Sequence, residues 1–110
     1  MDMPLAETSP RDSAVASVHR SMNERRSHSP DPRVVANSIT CECECHRTEC
    51  DQHFEITVAS YEAVRAEGRR FIVAPNHQTR DELMISQRNA YSVIEKVGDQ
   101  GVLAQALDPR

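Results

Sequence analysis

The sequence predicts an α+β fold: a small, mostly antiparallel sheet carrying two or three short helices. Three observations predict it. Apolar residues are scarce before Val34 but recur in short runs from Ile56 onward. Two runs, FEITVA at 54–59 and RFIVAP at 70–75, have the length of strands, and the first alternates apolar and polar positions. Between and after them lie segments with helix-boundary residues, and no internal repeat is evident.

Taken in order, residues 1–11 read as a disordered lead punctuated by Pro4 and Pro10. From Asp12 to about Ser27, Val15, Val18 and Met22 recur at three and four, the spacing of an amphipathic helix. Its stripe is narrow, and Arg20, Arg25 and Arg26 read as its solvated side. Such a helix has three fates: docking on the domain, pairing with another chain, or fraying. SPDPR at 29–33 is a linker, because two prolines forbid helix continuation. Val34 to Thr40 is β-prone. The 54–59 strand follows the cysteines, and Ser60 then offers an N-cap for YEAVRAE, with Gly68 as its stop. The 70–75 strand ends at Pro75. Leu83, Ile85, Tyr91 and Val93 favour a hairpin turning at QRNA over a helix across 80–88. DQGVLAQAL, closing at Asp108-Pro109, predicts a terminal helix.

This divides the 110 residues into a lead, helix and linker at 1–33 and an α+β domain at 34–110. With 38% apolar residues and no Trp, the core rests on few large side chains. In a core carried by about 70 residues, burial alone supplies roughly 3–5 kcal/mol, and a staple is often needed. The net charge of −4 creates no field favouring nucleic acid or an anionic membrane. The first ten residues lack a basic segment and an apolar segment, and no apolar run is long enough to span a bilayer. The expected location is the cytoplasm, where thiols stay reduced and clustered cysteines serve metals or redox chemistry more often than disulfides.

Four cysteines, Cys41, Cys43, Cys45 and Cys50, fall within ten positions of SITCECECHRTECDQH. Four readings compete: a disulfide, a metal site, a thiol switch, or buried small hydrophobes. Glu42, Glu44, Arg47 and Glu49 make this a poor core segment, and the reducing compartment disfavours a disulfide. A metal site fits best, with zinc favoured by mixed sulfur and nitrogen ligation. Cys43-x-Cys45-x4-Cys50 supplies three sulfurs if the chain turns tightly at HRTE. The fourth ligand is open between Cys41, the nearby His46 and His53, and the distant His77 in APNHQ. A remote histidine would tie the cysteine loop to the sheet, and His77 follows a buried strand and a turn. Cys50 and His77 would meet only if the 54–59 and 70–75 strands ran antiparallel.

From about Cys43 onward, roughly two-thirds of the chain, the sequence resembles a family of small uncharacterised bacterial proteins. The resemblance is carried by Cys-x-Cys with a third Cys a few residues on, TVASYEAVRAEGRRFIVAPNH, YSVIEKVG and the tail LDPR. It implies Cys43, Cys45, Cys50 and His77 as the zinc ligands, with Cys41 extra. The family places Gly after the Cys-x-Cys and before the His, where this chain has His46 and Asn76. Both tolerate a left-handed backbone better than most residues.

A closed four-ligand set predicts a non-catalytic binding or regulatory module with a structural zinc, for which a protein partner is conceivable. The alternative is a thiol and zinc redox sensor. A zinc hydrolase with Glu49 or Asp51 as base is disfavoured: there is no nucleophile–base pairing and no glycine-rich phosphate loop among only three glycines.

Overall fold

The computed structural model describes residues 10–27 and 38–110. The element order is α1 (Pro10–Ser27), β1 (Ser38–Glu42), β2 (His53–Thr57), α2 (Val58–Arg65), β3 (Arg70–Val73), β4 (Glu82–Gln87), β5 (Ser92–Lys96) and α3 (Gly98–Ala106). The architecture is α+β with antiparallel pairing throughout, as the sequence predicts. The strands form two small sheets rather than one, a β1–β2 hairpin and a three-stranded sheet in the order β3-β5-β4. The lead at 1–9, the SPDPR linker and the β-prone residues 34–37 lie outside the described residues.

The hairpin follows its alternation. Ile39 pairs with Ile56 and Cys41 with Phe54, and all four side chains are buried while Thr40 and Glu55 face outward. The 54–59 strand, however, ends two residues early. Thr57, extended at φ −68° and ψ 148°, caps α2, and its Oγ1 accepts the Ser60 N–H at 3.1 Å. The cap is therefore Thr57 and not Ser60, and Val58 and Ala59 form the first helical turn. At the other end α2 stops at Arg65, before Gly68. Gly68 instead leaves room for the Asp108 carboxylate: a Cβ there would lie 2.7 Å from Asp108 Oδ2, so that side chain would have to shift.

Within 80–88 the chain forms strand at Glu82–Gln87 and no helix, as the hairpin reading has it. β4 and β5 are joined through 88–91, where the Arg88 N–H donates to the Tyr91 carbonyl at 2.8 Å. A bulge between Met84 and Ser86 interrupts their register. Phe71, Ile72, Val73 and Ile94 are buried from β3 and β5, together with Tyr61 from α2. Phe54 stacks on Tyr91 at 5.4 Å between centroids, which joins the two sheets. α3 approaches β5 so closely that a Cβ on Gly101 would lie 2.5 Å from the Lys96 carbonyl oxygen.

α1 docks on β1 and α3, but not by the stripe that its period suggests. Val18 is 59% exposed, while Ala16, Ser17, Arg20, Asn23 and Glu24 are buried. Arg20, expected on the solvated side, is wholly enclosed. Its guanidinium lies 4.2 Å from the Phe71 ring centroid and donates to the carbonyls of Gly68 at 2.6 Å and Ala104 at 2.7 Å. Stacking on an aromatic face and bonding to carbonyls replace part of its lost hydration. Glu24 accepts from the Tyr61 hydroxyl and Arg65 Nε, each at 3.1 Å, and from Arg110 Nε. Arg65 also donates to Asp108, and Arg110 forks onto Glu62 at 2.7 and 2.9 Å. The LDPR tail is thus a clasp closing α1 over α2. It is incompletely satisfied, since Arg20 Nε and Arg65 Nη1 are buried without a partner.

Candidate metal centre

The chain leaves β1 at Glu42 and runs on as an extended pair of residues. The Cys43 N–H still bonds across the hairpin, to the Gln52 carbonyl at 2.9 Å. The next peptide turns to β3, where Glu44 takes both backbone groups of Ile72. Its N–H donates to the Ile72 carbonyl at 2.7 Å, and its Oε1 accepts the Ile72 N–H at 2.9 Å. Residues 43–45 therefore cover the open edge of β3. Alternation along this extended segment places Cys43 and Cys45 on one side and Glu44 on the other.

Two turns complete the site. Cys50 is brought back by a turn in which its N–H donates to the Arg47 carbonyl at 3.3 Å. Beyond β3, Ala74-Pro75-Asn76-His77 closes with the His77 N–H on the Ala74 carbonyl at 3.1 Å. Asn76 sits at φ 68°, so proline followed by a left-handed residue matches a type II turn. Asn76 thus adopts the left-handed conformation expected of it, and His46 does not.

The result brings Cys43, Cys45, Cys50 and His77 together, with their ligand atoms all within 4.8 Å of one another. His77 Nδ1 lies 3.4 Å from Cys43 Sγ and 3.6 Å from Cys50 Sγ. A tetrahedron with Zn–S near 2.3 Å and Zn–N near 2.0 Å has sulfur–nitrogen edges of about 3.5 Å. The group therefore has the dimensions of a metal site. Strands β2 and β3 need not pair for this, because the 43–45 segment makes the bridge itself.

Cys41 is fully buried on β1 among core side chains, outside the group. His53 is exposed, with Nδ1 3.1 Å from the Asp51 carbonyl, and His46 is also outside the group. No disulfide links the cysteines.

The local electrostatics favour a cation. The Cys43 thiol hydrogen-bonds Cys45 and, against the cost of burial, pulls the Cys45 pKa down. The same bond and burial push Cys43 far up, and burial raises Cys50. A metal held by these sulfurs would displace their remaining protons. The Ala74 N–H donates to Cys43 Sγ at 3.0 Å, a bond suited to a thiolate.

Three supporting residues were missed by sequence reasoning. Asn23 bonds the loop at Glu42 and Glu44, and His19 Nδ1 lies 3.0 Å from the Cys45 carbonyl. Glu44 lies between two ligands, and burial pushes its carboxyl up to about 7 against the bonds from Asn23 and Ile72. The signal for His19 and Asn23 was the small and polar series Ala16, His19, Arg20 and Asn23, which shares one helix face.

Neither a known protein family, nor a curated protein, nor a solved structure matches the chain. Among the described residues no helix is long and apolar enough to cross a membrane.

Proposed function

We propose that the chain is a small zinc-binding module in which Cys43, Cys45, Cys50 and His77 hold one structural Zn²⁺. One observation carries this reading: four donors from three separate segments converge within 4.8 Å. Three sulfurs and one imidazole nitrogen favour zinc over harder cations. Four protein donors fill a tetrahedron and leave no position for water or substrate, so the reading is of a non-catalytic binding or regulatory module. Kinship with the small bacterial Cys-x-Cys family and residence in a reducing cytoplasm belong to the same proposal.

The test is metal content of the purified chain, measured by elemental analysis. One zinc per wild-type chain is expected, retained in Cys41→Ser and lost in His77→Ala. Zinc retained in full after His77→Ala would exclude this ligand set.

A second reading is favoured by Cys50, the one ligand sulfur that is not fully buried. Peroxide entering there would take two electrons from a pair of thiolates and two protons from solvent, giving a disulfide and two waters and freeing the zinc. Stoichiometric zinc release by low peroxide supports this redox role, and cysteines inert to millimolar peroxide rule it out.

A further inference from the structure

α1 grips the metal-bearing loop at Glu42, Glu44 and Cys45. The Asn23 side chain behaves as a one-residue strand: Oδ1 accepts the Glu42 N–H and Nδ2 donates to the Glu42 carbonyl, both at 2.8 Å. The same Nδ2 donates to Glu44 Oε2 at 2.8 Å. One turn earlier, His19 Nδ1 lies 3.0 Å from the Cys45 carbonyl, which can only accept. The four-residue spacing puts His19 and Asn23 on one helix face.

These bonds surround the two ligand cysteines without touching their sulfurs. They fix the peptide groups on which the direction of each Cα–Cβ bond depends. Metal-ligand sets are ordinarily held by such outer contacts, whose loss typically weakens metal binding about 10- to 100-fold. Beside them Arg20 and Glu24 are held by the Gly68 and Ala104 carbonyls and by Tyr61, Arg65 and Arg110, so this end of the helix docks by polar contacts rather than by apolar burial. Ala16 is the buried apolar side chain of its described stretch, and Val18 points to solvent at 59% exposure. Polar docking of this kind is intolerant of misalignment, because each displaced bond leaves a buried group unpaired.

We infer that α1 is a clamp on the metal centre, with His19 and Asn23 as positioning residues that hold Cys43-Glu44-Cys45 in its ligating shape. Metal binding and helix docking then strengthen each other by the same factor, since a coupling between two sites is reciprocal. The inference rests on the zinc reading of the cluster, and it adds that an element about twenty residues upstream sets the affinity.

The experiment is a competition titration of the full chain against a chromophoric zinc chelator, combined with hydrogen exchange of the α1 amides. His19→Ala and Asn23→Ala are each expected to weaken zinc binding about tenfold while keeping one site. His19→Asn restores a nitrogen donor near the position of Nδ1 and should return to within about twofold of wild type. Thr57→Ala, which removes a helix cap away from the loop, should leave zinc affinity unchanged. Zinc should slow exchange in α1 of the wild type, and by a smaller factor in Asn23→Ala. Unchanged zinc affinity in both alanine variants, or α1 exchange indifferent to zinc, overturns the clamp and leaves the zinc site standing. A wild type that takes up no zinc overturns the site itself, and the clamp with it.

Discussion

The thiol end of the molecule and the seam beneath α1 meet the same shortage of apolar surface in opposite ways. At the thiol end, three sulfurs and an imidazole converge around a point that suits a cation from outside. In the seam, Glu24 is enclosed by Arg65, Arg110 and the Tyr61 hydroxyl, and Asp108 and Glu62 complete the pairing. The seam brings its own counter-charges. One region thus carries charges of both signs, whereas the other gathers donors with the dimensions of a metal site.

Chelation should separate them most. With free zinc about 1,000-fold above Kd, binding stabilises the folded chain by about 4 kcal/mol. A strong chelator should therefore lower the melting temperature by a corresponding amount, and an unchanged midpoint would break the contrast. The seam should answer to acid instead. Burial tends to raise the Glu24 pKa, but hydrogen bonds from Arg110 and Arg65 outweigh it and hold the pKa below its ordinary 4.5. The stability it confers is complete above about pH 4.5 and lost as pH falls through the depressed value. Glu24→Gln should cost about 3 kcal/mol at pH 7 in urea unfolding of zinc-saturated protein. That difference should narrow below pH 4.5, and one constant with pH would remove the ionic account. Smallest is Thr57→Ala, which deletes the α2 cap and should cost about 1 kcal/mol whether or not chelator is present.

The strands were legible because their signal is local. Alternation at Phe54 and Ile56 depends on neighbours in sequence and on one buried face, whereas β4 was legible from its period alone, since Leu83 and Ile85 are exposed. The β2 boundary was misplaced because Thr57 and Ser60 are both competent caps, and only the chain direction after β2 decides between them. His77 was within reach because a strand end, Pro75 and Asn76 together announce a rigid turn. The seam was not. Arg20 and Glu24 look like a solvated helix face, since nothing near them in sequence shows that Phe71, Ala104 and Arg110 fold over them. For the same reason Val15, Val18 and Met22 suggested the wrong docking face.

Gly101 lets α3 rest against the Lys96 carbonyl with no atom between them. The helix that comes so near also presents the Ala104 carbonyl to Arg20. Any larger residue at 101 must lift that helix outward and carry the Arg20 acceptor with it. A single absent methyl group therefore sets how near α3 lies to β5, and alanine at this one place would be felt on the far helix.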